Sequence, residues 1–316
     1  MRLMKICVLG SGALGSSIGG VLTEAGYDVY LIDQWAEHIN TMNNQGLKLR
    51  EGTTDRTVKV KAATSCADIG PADLIIVLVK SFHTRQAIEN AGPIIGKDTL
   101  IMSLQNGLGN EEIIAEVVGK ERVIGGKTYV GGVLLGPGHV IAGTKGKYTF
   151  IGELDGAITH RITNVAEKLT KAGLLTTVSD NIVGMIWDKL LINVATGAIS
   201  GITRLPYGGL YNIPEVRDCA LAAIAEAMAV AEANGVTLSI KTPEEAWLKA
   251  SDGLPAEFRT SILQSLEKGA ATEIDFINGS VVRCGEKCNV PTPVNKTLVA
   301  SVKGIEYWIK NYSGKA

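Results

Sequence analysis

The sequence predicts an α/β domain with a doubly wound, mostly parallel sheet and an antiparallel extension, followed by an all-α domain. Three observations carry this. Short apolar runs alternate with helical stretches from Lys5 to Leu104, the β-α alternation of a doubly wound sheet. Apolar strands separated by Gly-Pro-Gly and Lys-Gly-Lys turns follow between Lys127 and Gly152 and read as antiparallel strands added to the sheet edge. From Asp180 onward no strand pattern recurs. Spacing and caps there predict helices over 181–199, 215–234, 243–250, 261–268, 273–286 and 293–311. The domains are expected at 1–179 and 180–316.

Lys5-Ile6-Cys7-Val8-Leu9 is an apolar run that stops at glycine, as a buried parallel strand does. Gly10-Ser11-Gly12-Ala13-Leu14-Gly15 then fits G-x-G-x-x-G, and an Ala-, Gly- and Leu-rich helical stretch runs to Gly26. A second strand over 28–32 carries Asp33 at its tip. Gly10 allows a tight turn, Gly12 lets the backbone approach a pyrophosphate, and Gly15 lets the helix pack close to the sheet. The opening N–H groups and the helix dipole suit phosphate, and Asp33 is placed to accept from the adenine ribose hydroxyls. The glycine pattern alone is weak. With a strand before it, a helix after it and an acid at the right distance, it reads as a Rossmann-type dinucleotide site. A carboxylate at residue 33 repels a 2′-phosphate, and Gln34 and Trp35 bring no arginine to the tip, so NAD is favoured and NADP stays open. A flexible linker and a secretory leader starting at Arg2 and Lys5 are the plainer readings. The flanking β-branched strands oppose the first. The glycine punctuation, the lack of a small-residue cleavage site and the acid at residue 33 oppose the second.

The next elements follow in order. Segments 47–49 and 57–60 read as strands around a Gly-Thr turn, and 74–79 is the clearest buried strand, with Lys80 and Ser81 at its carboxyl end, where open α/β sheets bind ligands. Residues 83–91 read as helix and 99–104 as strand, ending in Gln105-Asn106-Gly107, with Asn110 capping a further helix. A helix over about 158–172 and a strand near 175–178 close the first domain.

Composition narrows the function. The chain is 46% hydrophobic and 20% charged with net charge −1, which gives no reason to expect nucleic acid or a membrane as partner. The apolar stretch 183–202 is interrupted by Asp188, Lys189 and Asn193 and is a poor spanning helix. Five scattered cysteines read as reduced thiols, which points to the cytoplasm. Cys284 and Cys288 lie one helical turn apart but lack a partner pair, and His38, His83, His139 and His160 show no ligand spacing, so no metal is expected. The Ala-rich segment 219–233 suits close packing against its own domain or against a second copy, which leaves a homodimer open.

Lys189 and Asn193 are four apart and share a helix face among apolar neighbours. Alone, they read as a solvated lysine and an amide bonded to a nearby loop. Ser261 followed by Gln264 is a capping box, and a capping serine also suits a carboxylate. Thr272 can cap, and Glu273 suits the first turn.

In their order along the whole chain, GSGALG, VLVKSF with Lys80, LQNGLG with Asn106, WDKLLINV with Lys189 and Asn193, TSILQSLEKG with Ser261 and TEIDFINGSVV with Glu273 resemble the ketopantoate reductase family. The resemblance implies a reductase of 2-oxo acids. It implies Lys189 as general acid, with Glu273 holding the geometry beside the lysine and the nicotinamide ribose. Lys80 and Asn106 would lie by the cofactor, Asn106 also by the substrate; Ser261 would take the substrate carboxylate and Asn193 another polar group. Some positions depart from the family pattern. Gly197 and Phe258 replace asparagines, Tyr207 stands where a proline-flanked asparagine is usual, and Ser265 replaces an aspartate. These exchanges predict a more apolar pocket. The expected activity is reduction of ketopantoate to pantoate with NAD(P)H (2-dehydropantoate 2-reductase). The alternative is an NAD-linked D-2-hydroxy-acid dehydrogenase acting on branched or aromatic 2-oxo acids. A non-catalytic nicotinamide sensor is the third reading, opposed by the retained Lys189, Asn193, Ser261 and Glu273.

Overall fold

The computed structural model describes residues 4–313; Arg2, where the leader reading began, and the outermost residues of both expected domains lie outside the described residues. The chain divides into two compact units. One runs to Gln105 and includes Asn110–Ile182; the other takes Asn106–Gly109 and the residues from Val183.

The first unit carries β1 (Lys5–Leu9), α1 (Ala13–Glu24), β2 (Asp28–Ile32), α2 (Ala36–Gln45), β3 (Leu47–Glu51), β4 (Thr54–Val58), β5 (Lys61–Ala63), β6 (Leu74–Val77), α3 (Thr84–Asn90), β7 (Leu100–Ser103), α4 (Asn110–Val118), β8 (Val123–Thr128), β9 (Gly131–Gly136), β10 (His139–Gly143), β11 (Thr149–Gly152), α5 (His160–Lys171) and β12 (Thr176–Val178). The main sheet has the order β12-β11-β8-β7-β6-β1-β2-β5. From β5 to β8 the strands are parallel; β11 joins β8 antiparallel. The strands read as continuous apolar runs because both faces are covered. Ile6, Val8, Leu74 and Ile76 pack with Ile18 and Leu22 of α1 on one face, while Cys7, Ile75 and Val77 pack with Ile88 and Ile114 of α3 and α4 on the other.

The expected antiparallel extension is only partly right. β11 does extend the main sheet, but β9 and β10 leave it and join β3 and β4 in a second sheet of order β4-β3-β10-β9. The reason lies in α1, which is sandwiched. A Cβ at Gly19 would stand 2.2 Å from Leu31 of the main sheet, and one at Gly20 2.8 Å from Leu49 of the small sheet. The glycines of this helix let two sheets close on it.

The second unit is helical: α6 (Ile182–Thr203), α7 (Tyr207–Leu210), α8 (Pro214–Ala233), α9 (Pro243–Ser251), α10 (Ser261–Glu267), α11 (Asn278–Cys288) and α12 (Pro293–Asn311). Proline occupies the first turn of α8, α9 and α12, where its missing N–H costs nothing. By length and composition α6 could cross a membrane, yet it is mostly buried within the protein. Its Leu190, Leu191, Val194 and Ala198 belong to the core of the helical unit. Ala220, Ala223, Ala227 and Ala231 of α8 are buried in that same core, so this alanine face packs against its own domain.

One expectation needs correction here, and one element was not expected. The helix expected over 273–286 is broken into a short 3-10 turn, Ile274–Phe276, and α11. The Phe276 carbonyl is drawn off to accept from the Leu108 N–H at 2.9 Å and from the Ser280 hydroxyl at 3.0 Å. The short α7 escapes the periodicity reading because a single turn carries no period.

Candidate active site

The glycine turn leaves β1 at Gly10, whose φ of +94° is the left-handed region that favours glycine. Its N–H donates to the Ile32 carbonyl at 2.8 Å, which ties the turn to β2. A Cβ there would sit 2.5 Å from the Val79 nitrogen, just past the end of β6. The turn therefore lies at the switch point, where β2 and β6 flank β1 on opposite sides. At Gly15 a Cβ would fall 2.0 Å from the Gly10 carbonyl oxygen. Gly12 is different: a Cβ there would meet no protein atom within 4 Å. The protein's own packing requires glycine at 10 and 15, but not at 12. An open face at Gly12 fits a backbone that must approach a pyrophosphate, so the residues present fit a dinucleotide. Ala13, Leu14 and Gly15 open α1, whose cap Gly12 supplies no side-chain bond; first-turn N–H groups lack intrahelical partners.

Asp33 is half-buried and is bonded to the turn it was expected to complement. Its Oδ2 accepts from the Ser11 N–H at 2.8 Å and its Oδ1 from the Trp35 N–H at 3.0 Å. Carboxylate oxygens accept more than one bond each, so ribose hydroxyls can still be received.

Lys80 is exposed at the carboxyl end of β6 and caps the 3-10 turn Ser81–His83. Beneath this edge lies a polar network that the sequence reading did not anticipate. The Gln105 amide donates to the Val79 carbonyl at 2.7 Å and to Thr84 Oγ1 at 2.9 Å, and Thr84 Oγ1 donates to Asn110 Oδ1 at 3.0 Å. Glu111, next along α4, is buried, and burial pushes its carboxyl up to about 8, so it holds its proton near neutral pH. Gln105 thus joins the ends of β6 and β7, and the signal for it is its place directly after a strand end.

In the helical unit, Lys189 and Asn193 are half-buried, one turn apart on α6. Asp188 beside them is committed elsewhere: its carboxylate accepts from the Ser239 and Ile240 N–H groups and from the Ser239 hydroxyl at 2.6 Å. Continuing the stripe by fours reaches Gly197 and Gly201, where Cβ atoms would stand 3.2 and 2.7 Å from Ile262. At 197, where the family pattern has an asparagine, Gly197 leaves room for Ile262 of α10 to close on that spot. Ile262 follows Ser261, so the start of α10 lies against the face that carries Lys189 and Asn193. Ser261 itself corrects an expectation. The cap is Thr260, whose side chain accepts from the Leu263 N–H at 3.2 Å, and Ser261 is the exposed first helical residue. No capping box forms with Gln264, whose amide donates to the Arg259 carbonyl at 2.8 Å. Ser261 is thereby left out of the cap.

The segment after Asn106 and the turn after Glu273 are in contact. Gly107, at φ +87°, lies so close to Phe276 that a Cβ would be 2.4 Å from its carbonyl oxygen. The 106–109 segment thus rests on the turn that follows Glu273, a carboxylate only 6% exposed. Tyr207 is buried, shares a 3.1 Å hydrogen bond with Thr196 of α6 and meets the exposed Phe258 ring edge-on at 5.5 Å. Burial pushes the Tyr207 phenol upward from its ordinary value. Tyr211 stacks between Tyr207 and Trp247. An aromatic wall thus stands in the unit that carries Lys189, Asn193 and Ser261.

Comparisons with known proteins agree along the whole length. A family model described as ketopantoate reductase PanE/ApbA matches residues 6–156, and one described as its C-terminal part matches 181–306. The 2-dehydropantoate 2-reductase of Pyrococcus horikoshii is 38% identical over 96% of this chain and 98% of its own. That of Archaeoglobus fulgidus is 33% identical over 97% and 99%. Among solved structures, a PanE/ApbA family ketopantoate reductase from Ralstonia eutropha JMP134 superposes with TM-score 0.89 at 34% identity, covering 98% of this chain and all of the other. A D-mandelate dehydrogenase, in a ternary structure with NADH and anilino(oxo)acetate, superposes with TM-score 0.90 at 28% identity over 97% of this chain and all of its own.

Proposed function

The chain belongs to the ketopantoate reductase family of NAD(P)-dependent oxidoreductases acting on CH–OH groups, and from that premise we propose that it is a 2-dehydropantoate 2-reductase, reducing ketopantoate to pantoate. The observation that carries the reading is the α6 stripe: Lys189 and Asn193 on one face, with Ser261 delivered to it by the contact of Ile262 with Gly197.

Bound reduced nicotinamide supplies the hydride. Lys189, as general acid, would give its proton to the carbonyl oxygen as the hydride supplied by the nicotinamide reaches C2, which together account for the two electrons and two hydrogens gained by the ketone. Before that, the ammonium polarises the C=O bond and attracts the anionic substrate. Ser261 donates its hydroxyl to the substrate carboxylate, and Asn193 bonds a second polar group. Glu273 would keep the ammonium oriented and would hold the nicotinamide ribose, Asn106 would serve both cofactor and substrate, and Lys80 would bind the cofactor from the sheet edge. Gly10 to Gly15, including Ser11, Ala13 and Leu14, would hold the diphosphate.

Asp33 makes NADH the preferred donor over NADPH in this proposal. In Asp33→Ala the ratio of kcat/KM for NADPH to that for NADH should rise on the order of tenfold, about 1.4 kcal/mol. An unchanged ratio would mean that the strand tip does not read the ribose.

The Tyr207–Phe258 wall favours a second reading, a D-2-hydroxy-acid dehydrogenase for branched or aromatic 2-oxo acids, in line with the likeness to D-mandelate dehydrogenase. A panel separates the two. NADH and NADPH oxidation is measured with ketopantoate, 2-oxoisovalerate, 2-oxoisocaproate and phenylglyoxylate. The first reading predicts the highest kcat/KM for ketopantoate, the second for one of the branched or aromatic acids, 2-oxoisovalerate, 2-oxoisocaproate or phenylglyoxylate. NADH binding with no reduction of any of them would sink both and leave a sensor. The proposed setting is the cytoplasm. A homodimer, checked by light scattering, would use a surface other than the buried alanine face of α8.

A further inference from the structure

His38 has no part in the reaction as described, yet it is fully buried beside the glycine turn. It is the third residue of α2, and its ring stacks on Trp35 with centroids 4.9 Å apart and planes 6° from parallel. The Gly138 N–H, in the bend between β9 and β10, donates to its Nδ1 at 2.9 Å. That lone pair being committed, the proton of the neutral ring is assigned to Nε2, which donates to the Ser11 carbonyl at 2.9 Å. The Ser16 hydroxyl donates to the same carbonyl at 2.6 Å. With the Ser11 N–H on Asp33, both sides of this residue are held. A peptide group is planar and trans, so its carbonyl and the next N–H point in opposite directions. Holding the Ser11 carbonyl toward His38 therefore aims the Gly12 N–H the other way.

We infer that His38 is a positioning residue of the dinucleotide site, fixing the Ser11–Gly12 peptide through its Nε2–H and tying it to the β9–β10 bend through Nδ1. The inference rests on the dinucleotide reading of the turn. It also makes binding acid-sensitive. A second proton would go to Nδ1, replacing an acceptor with a donor that faces the Gly138 N–H. The groups facing the ring are Ser11 and Ser16 from the turn and α1, the Gly138 N–H from the β9–β10 bend and the charge of Asp33 at the tip of β2; Glu37, before it on α2, is exposed, and the His139 ring is bonded to Asp55 at 3.1 Å. Burial lowers the imidazole below its ordinary value despite Asp33, so the clamp is intact at neutral pH and is lost as pH falls through that lowered value.

The test is calorimetric titration of NADH into the full chain and its variants from about pH 8 to about pH 5, with kcat at saturating NADH measured alongside. His38→Ala should weaken NADH binding on the order of tenfold at neutral pH while kcat changes by less than about twofold. His38→Gln keeps an N–H near the Nε2 position and should recover most of the affinity, but with no acid-side loss. His139→Gln should retain the wild-type pH dependence. Wild-type affinity in a folded His38→Ala, a His38→Gln no better than alanine, or a pH dependence abolished by His139→Gln would each overturn the inference while leaving the dinucleotide reading intact. A wild-type chain that bound no dinucleotide would overturn both.

Discussion

Lys189→Ala is expected to lower kcat by about two to four orders of magnitude, the usual contribution of a positioned general acid. The loss should appear in kcat because the proton is delivered only as the carbonyl oxygen becomes an alkoxide. Nucleotide affinity should hardly change, since the glycine turn and Asp33 lie in a different unit of the chain from residue 189. The fold should survive as well: Lys189 is half-buried, while the neighbouring Leu190 and Leu191 carry the core contact. Asp188 remains engaged with Ser239 and Ile240, so the start of α6 stays anchored. Steady-state rates with NADH binding measured separately check this. A variant with wild-type kcat would remove Lys189 from its role.

Gly12→Ala and Gly15→Ala should both abolish tight dinucleotide binding, but for opposite reasons. At Gly15 the added methyl meets the Gly10 carbonyl oxygen at 2.0 Å, and a backbone atom in a tight turn cannot swing aside as a side chain can. Overpacking of this kind costs about 1–3 kcal/mol. In a domain of this size that lowers Tm by about 2–4 °C per kcal/mol. At Gly12 the methyl meets no protein atom within 4 Å, so Tm of the free protein should stay within about 1 °C of wild type. The same methyl occupies the space through which the turn would receive the diphosphate, so NADH affinity should fall more than about tenfold. Calorimetric Tm and NADH titration on both variants give the comparison. Unimpaired binding in Gly12→Ala would mean that the diphosphate does not approach the chain there.

Much of this architecture can be read without coordinates, and the exceptions share a cause. Segments 5–9, 28–32 and 74–77 are legible because a parallel strand covered on both faces must be apolar throughout and because glycine stops the first of them. The longer helices of the second unit, α6, α8, α9 and α12, are legible from period and proline starts, whereas α7 and the break before α11 are not. The four-stranded sheet is not. β10 pairs in parallel with β3, some ninety residues earlier, and no local period records a distant partner. The cap of α10 fails for a smaller reason: Thr260 and Ser261 are both good caps, and burial of Thr260 decides between them. Site residues divide the same way. Gly10, Gly12, Gly15 and Asp33 form a local pattern with a mechanism. Lys189, Asn193, Ser261 and Glu273 are separately ordinary and stand out only as an ordered set resembling a family. His38 and Gln105 act through bonds to residues more than twenty positions away, and the Thr196–Tyr207 pair through one between separate helices, none of which leaves a mark on spacing.

The most direct measurement of the central claim follows the hydride itself. NADH carrying deuterium at both C4 positions of the nicotinamide is incubated with the preferred 2-oxo acid, and the product is analysed by mass spectrometry and proton NMR. The account predicts a 2-hydroxy acid carrying deuterium at C2, formed in step with oxidised nicotinamide and absent in Lys189→Ala on the same timescale. Product with only solvent hydrogen at C2, or nicotinamide bound and never oxidised, would contradict it.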